Sequence, residues 1–273
     1  MSRIATRFAE LKKANRAAFV PFITAGDPDF ETSLAILEKL PGIGADVIEL
    51  GVPFSDPMAD GPAVQASSLR ALEAGMTVQK VLDLVRKFRK TDSKTPIVLM
   101  GYYNPIHAYG TAKFAKDAAA AGVDGLITVD LPPEEDEVLR VPANAQGVDI
   151  VRLATPTTND ARLKTVLHGA SGYLYYVSVA GVTGTKDFDE TEVRAALARI
   201  KAVSDIPTTV GFGIKTPEQA AQIARFADGA VVGSAIVSRI ADLKAASEKP
   251  DAIVKDVVNF CKSLADSVHA ARG

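Results

Sequence analysis

Eight short apolar runs, each rich in β-branched residues, recur along this chain with longer segments of helical period between them. That alternation constrains the fold more than any other feature of the sequence. The runs occupy residues 19–24, 46–50, 97–102, 125–129, 149–153, 173–178, 208–212 and 230–233. They are nearly continuous rather than alternating, the pattern of a parallel sheet covered on both faces. Helical period fills 31–40, 78–90, 111–121, 134–144, 190–203 and 217–227. Thr77 precedes one of these, Thr216-Pro217-Glu218 opens another with proline at its first position, and Pro132-Pro133-Glu134 opens a third. Gly122 and Gly147 follow helices and precede strands, where a left-handed cap is wanted. Repeated βα units predict a parallel sheet, and eight of them predict a closed (β/α)8 TIM barrel before an open doubly wound sheet.

A length of 273 residues suits one such barrel, and no linker or low-complexity tract divides it, so residues 1–273 are expected to form a single domain. Ile4, Phe8 and Leu11 stand at helical spacing ahead of the first strand and predict an extra N-terminal helix across the barrel's N-terminal mouth. Two connections are long, from residue 51 to about 94 after the second strand and from about 179 to 189 after the sixth. Both belong to the barrel face that carries active sites.

The 31 Lys and Arg are scattered and balanced by 33 Asp and Glu, with no basic stripe to receive a nucleic-acid backbone. The single cysteine, Cys261, cannot make an internal disulfide, and its helical neighbours mark it as a packed thiol rather than a nucleophile. The opening MSRIATRFAELKK has no uninterrupted apolar core of the signal-peptide kind. No stretch approaches the roughly 18–20 apolar residues that span a bilayer. A soluble, cytoplasmic protein is expected.

Glu49 sits near the end of an apolar strand, between Val47, Ile48 and Leu50. A carboxylate there is either a fully hydrogen-bonded structural group or a functional one, because burying a bare charge is very costly. Partial burial would raise its pKa toward the range useful in acid–base work. Asp56 and Asp60 follow, each next to Pro or Gly. Asp56 reads equally as a turn former, whereas Asp60 can reach back over the barrel mouth. Two acids facing one pocket would let one shuttle a proton while the other stabilises developing positive charge. Gly211, Gly213 and Gly233-Ser234 end the last two strands, where exposed N–H groups and a short helix opened by Ser234 suit a phosphate. Gly181, Thr183 and Gly184, in the long sixth loop, would form a lid. No lysine lies in the body of a strand, since Lys186 and Lys215 fall in loops, so a Schiff-base aldolase is not expected. His107, His168 and His269 lack metal-ligand spacing, and His107 reads as a loop residue. Metal sites and nucleophile elbows are likewise not expected.

The segment 49–65 (ELGVPFSDPMADGPAVQ) resembles that of the tryptophan synthase alpha chain family, as do 19–28 (FVPFITAGDP), 101–105 (GYYNP), 129–135 (VDLPPEE), 178–184 (SVAGVTG), Gly211-Phe212-Gly213 and Gly233-Ser234. The likeness runs from the first strand to the eighth. It departs only slightly, with Val64 where isoleucine is common and Met58 where leucine is common. The resemblance implies retro-aldol cleavage of indole-3-glycerol phosphate to indole and glyceraldehyde 3-phosphate. Glu49 would be the general acid–base, and Asp60 would bind the indole N–H, oriented by Thr183. Phe22 and Tyr175 would line the indole pocket, and Gly184, Gly213, Gly233 and Ser234 would hold the phosphate. The resemblance also implies no cofactor on this chain. It implies instead a beta-chain partner in an alpha2beta2 complex, carrying pyridoxal phosphate and meeting the loop of Asp56 and Pro57, with Asp130 nearby passing signals. Rival readings are another phosphate-binding barrel enzyme, which would share the late glycines without the Glu49 and Asp60 segment, and a non-catalytic subunit, which has no use for the two acids.

Overall fold

The computed structural model describes residues 2–178, 189–211 and 213–272. Its strands are β1 (Ala18–Thr24), β2 (Ile48–Gly51), β3 (Ile97–Gly101), β4 (Gly125–Thr128), β5 (Asp149–Ile150), β6 (Arg152–Ala154), β7 (Leu174–Val177), β8 (Thr208–Gly211) and β9 (Gly229–Val232). All are parallel to their neighbours, in the order β5-β4-β3-β2-β1-β9-β8-β7-β6. The outermost two of that order are consecutive in the chain, separated only by Val151. β5 pairs with β4 while β6 pairs with β7. They are one stave that changes partner at Val151, and the sheet is an eight-staved barrel. The expected fifth strand, 149–153, thus divides in two because its halves bond to opposite neighbours.

Around the barrel run α1 (Arg3–Lys13), α2 (Phe30–Lys39), α3 (Pro62–Glu73), α4 (Val78–Phe88), α5 (Tyr103–Tyr109), α6 (Thr111–Ala121), α7 (Glu137–Ala145), α8 (Asp160–Leu167), α9 (Glu190–Lys201), α10 (Pro217–Ala224), α11 (Ser234–Ala245) and α12 (Pro250–Ala270). Their starts follow local chemistry. Thr77 accepts from the Lys80 N–H, and Thr216 with Gln219 forms a reciprocal capping box behind Pro217. α6 ends on Gly122 at φ +97°. The expected helix 134–144 begins instead at Glu137, because Pro132 to Asp136 form a turn, closed by the Glu135 N–H on the Pro132 carbonyl at 3.0 Å. The connection 51–94 contains α3 and α4, which leaves the stretch 52–61 as its longest irregular part. His107 lies on α5 and not in a loop; it is exposed, with its ring 5.6 Å from that of Tyr103.

Strand side chains fall into two apolar layers. Ile48, Leu50, Ile97 and Leu99 point outward and pack under the helices. Val20, Val47, Val98, Ile127, Val151, Tyr173 and Val231 point inward and form a separate interior cluster with Ile4, Phe8 and Leu11 of α1. α1 therefore plugs the N-terminal mouth, as its spacing predicts. Arg3 binds Asp124 at 2.8 Å, and Arg7 and Arg16 both bind the buried Asp46. With α1 packed across that end, the larger cavity among the described residues opens at the C-terminal mouth.

Candidate active site

Glu49 belongs to the inward set of β2, in register with Phe22 of β1 and Val98 of β3. Its side chain is 1% exposed. The Tyr173 hydroxyl, on the opposite wall, donates to Glu49 Oε1 at 2.7 Å, and Oε2 is buried without a partner. A structural glutamate would be saturated; this one is half-saturated and borders an open cavity. Loss of solvation outweighs the hydrogen bond from Tyr173 and pushes its pKa up to about 8. At neutral pH the group is a protonated acid of moderate strength.

The cavity lies at the C-terminal mouth and measures about 580 Å³, within the usual range for small-molecule sites. Its middle is apolar, walled by Phe22, Met100, Val129, Leu153, Tyr175 and Val231. Asp60 reaches its rim from the stretch 52–61. The Tyr102 hydroxyl donates to Asp60 Oδ2 at 3.0 Å, and Gln65 Nε2 donates to the Asp60 carbonyl at 2.8 Å. Burial raises the Asp60 pKa, against the opposing hydrogen bond from Tyr102. Burial and the nearby Glu49 hold the Tyr175 phenol well above its ordinary range, so it faces the cavity neutral.

Two of the strand-end glycines make room for aromatic walls. A Cβ on Gly211 would stand 2.1 Å from the Tyr175 hydroxyl oxygen, and one on Gly51 would stand 2.7 Å from the Phe22 ring. At the far side, Gly213 (φ +78°), Gly233 and Ser234 line the same cavity. Gly233 is the N-cap of α11, and no side chain caps that helix. The Ile236 N–H bonds the Gly233 carbonyl at 2.8 Å, and the N–H groups of Ser234 and Ala235 ahead of it have no side-chain cap. Lys215 also lines the cavity and is the one basic side chain doing so among the described residues.

The structure gathers Glu49, Asp60, Phe22, Tyr175, Gly213, Gly233 and Ser234 around one cavity. Thr183 and Gly184, with Gly181, Lys186 and Phe212, lie outside the described residues. Asp56 is exposed and away from the cavity lining, taking a hydrogen bond from Ser55 Oγ at 2.6 Å. Asp130 accepts from the Tyr103 N–H at 2.8 Å. Sequence reasoning overlooked Tyr173, Tyr102 and Lys215. The signal for Tyr173 was present, as a buried phenol two residues from Tyr175 and so on the same face of the strand.

Two carboxyls, an apolar slot and a helix N-terminus without a side-chain cap at one mouth suit acid–base chemistry on a flat apolar group joined to an anionic one. The chain matches the family model of the tryptophan synthase alpha chain over residues 8–269. It belongs to the tryptophan synthase alpha chain family. The solved structures agree. The chain is similar to the tryptophan synthase alpha chain of Legionella pneumophila subsp. pneumophila, at 42% identity and TM-score 0.89 over 98% of this chain and 97% of that one. It is similar to subunit alpha from the Paris strain of that organism, at 41% identity and TM-score 0.90 over 98% of each. A tryptophan synthase structure from Mycobacterium tuberculosis, in its aminoacrylate-bound form, matches at 34% identity and TM-score 0.86, over 98% of this chain and all of that one. Tryptophan synthase alpha chains are the lyase subunits of tryptophan biosynthesis, and membership implies a beta-chain partner.

Proposed function

We propose that this chain carries out the alpha reaction, cleaving indole-3-glycerol phosphate to indole and glyceraldehyde 3-phosphate, with Glu49 and Asp60 as its catalytic residues. The observation that carries the assignment of roles is the Glu49 carboxyl, with one oxygen held by Tyr173 and the other unpartnered beside the apolar slot.

Glu49, protonated below its pKa of about 8, gives its proton to the indole ring carbon that bears the glycerol chain. The ring becomes a cation with its charge on N–H, and Asp60 accepts a hydrogen bond from that N–H and balances the charge. Glu49 is now a carboxylate in an apolar setting and a correspondingly strong base. It takes the proton of the adjacent glycerol hydroxyl as the carbon–carbon bond breaks. The bond's electrons return to the ring and restore indole, the hydroxyl oxygen becomes the aldehyde, and Glu49 regains its proton. The balance closes without a redox partner or prosthetic group.

Phe22 and Tyr175 flank the indole, Thr183 orients Asp60, and Gly184, Gly213, Gly233, Ser234 and the start of α11 hold the phosphate. Residues 1–273 act as one domain in the cytoplasm; no helix among the described residues is long and apolar enough to cross a membrane. The beta chain, carrying pyridoxal phosphate in an alpha2beta2 complex, meets the loop of Asp56 and Pro57, and Asp130 lies close to that contact.

Release of indole from indole-3-glycerol phosphate by the purified chain, with and without a beta chain, tests the reading. Slow release alone and faster release with the partner are expected. No indole under either condition, from folded protein, would sink it.

A further inference from the structure

Tyr102 follows β3 and is 3% exposed. It does not line the cavity, yet its hydroxyl meets the stretch 52–61 twice. It donates to Asp60 Oδ2 at 3.0 Å and accepts from the Ala59 N–H at 3.0 Å. A phenol has one proton. The Ala59 amide can only donate, so that proton is committed to Asp60 and the direction of the bond is fixed. The ring packs beside Phe54, with centroids 5.4 Å apart, which settles its orientation independently of the hydroxyl. No other side chain bonds the Asp60 carboxylate among the described residues, and Gln65 holds only the backbone carbonyl. Oδ1 is left for a ligand.

We infer that Tyr102 is a second positioning residue for Asp60 beside Thr183, turning one carboxylate oxygen away and presenting the other to the cavity. The inference rests on the reading of Asp60 given above as the acceptor of the substrate N–H. Tyr102 does not touch substrate. It acts by fixing the carboxylate's rotation and by tying the loop backbone to the rigid end of β3. Its hydrogen bond also opposes the burial that pushes the Asp60 pKa up, so removing it makes Asp60 harder to ionise.

Tyr102→Phe keeps the ring against Phe54 and deletes both hydrogen bonds. Indole release should fall about tenfold to a hundredfold in kcat, the range for a hydrogen bond to a charged group. Competition by inorganic phosphate should change little. The acid limb of kcat/KM should move up by about one pH unit. Added to Asp60→Asn, Tyr102→Phe should cost less than about twofold more, because a residue acting through Asp60 has nothing left to position. An unmoved acid limb, or a full further loss in the double variant, would overturn the inference and leave Tyr102 a packing residue. Should Asp60→Asn itself retain full activity, the assigned role of Asp60 falls and the inference with it. Inactive Asp60→Asn beside unaffected Tyr102→Phe removes the inference alone. If Tyr102→Phe folds poorly, Tyr102→3-fluorotyrosine decides: a stronger donor in the same place should move the acid limb down, and no movement refutes.

Discussion

Replacing Glu49 by glutamine should make the protein more stable as pH rises while abolishing its chemistry. In the folded chain the carboxyl holds its proton up to about 8, against 4.5 for an ordinary glutamic acid. A raised folded-state pKa stabilises the native form fully below 4.5, and that contribution drains away as pH climbs to about 8, after which nothing more is lost. Glutamine is neutral throughout, keeps an oxygen for the Tyr173 hydroxyl and turns its amide to the open side. It removes the slope and little else. Between pH 5 and pH 7.5 the wild-type penalty grows by about 3 kcal/mol, at ~1.36 kcal/mol for each unit separating the two states. The thermal midpoint of Glu49→Gln should therefore gain on the wild type by about 6 °C or more over that interval, at the ~2–4 °C per kcal/mol expected for a chain of this size. All other titrating groups are shared by the two proteins and cancel in the difference. Melting both across this range, with indole release measured in parallel, is the assay. A midpoint difference that stays flat from pH 5 to pH 8 would refute the claim that Glu49 is buried as a neutral acid, and the proton donation built on it would go too.

The same ionisation sets the alkaline limb of catalysis: kcat should fall above about pH 8 as Glu49 loses its proton, and Glu49→Asp should displace that limb in a pH profile. Gly211→Ala places a methyl 2.1 Å from the Tyr175 hydroxyl. The phenol must shift within the cavity, and kcat/KM should drop by about tenfold or more, at a stability cost of ~1–3 kcal/mol. Lys215→Gln removes the one basic side chain lining the cavity among the described residues. It should raise KM for the phosphorylated substrate about threefold to fivefold, as for an exposed charge, with kcat nearly unchanged and less dependence of KM on salt.

The barrel was legible because its strands are buried on both faces and read as unbroken apolar runs. α3 escaped notice for the opposite reason. Its sequence, PAVQASSLRALE, buries Ser67, Ser68 and Ala71 instead of an apolar stripe. The helix is held by hydrogen bonding, Ser67 Oγ to Thr24 Oγ1 at 2.6 Å and Arg70 to both oxygens of Asp27 at 2.8 Å. Periodicity cannot see an attachment of that kind. α5 has seven residues and contains Pro105, too little for a period to register. In the site, Glu49 stood out as an acid inside an apolar run, but its partner lies 124 residues away on β7's side of the barrel, and Tyr102 lies 42 from Asp60. Those pairings depend on how the staves are arranged around the barrel, and no local pattern carries that.

The partners, once visible, separate two kinds of buried acid that are alike in the sequence. Asp27, Asp46, Asp124 and Asp136 each bind arginine and so hold helices to the barrel. Glu49 and Asp60 each take a single tyrosine hydroxyl on one oxygen. A guanidinium brings a full positive charge that favours the carboxylate form against burial, as Arg70 does at Asp27 and as Arg7 and Arg16 do at Asp46. A phenol orients the group with one neutral hydrogen bond, leaves the second oxygen for a ligand, and lets burial keep the proton affinity high. The choice of tyrosine over arginine thus sets these two carboxyls apart, in keeping with the proton exchange proposed for Glu49 and the cation binding proposed for Asp60.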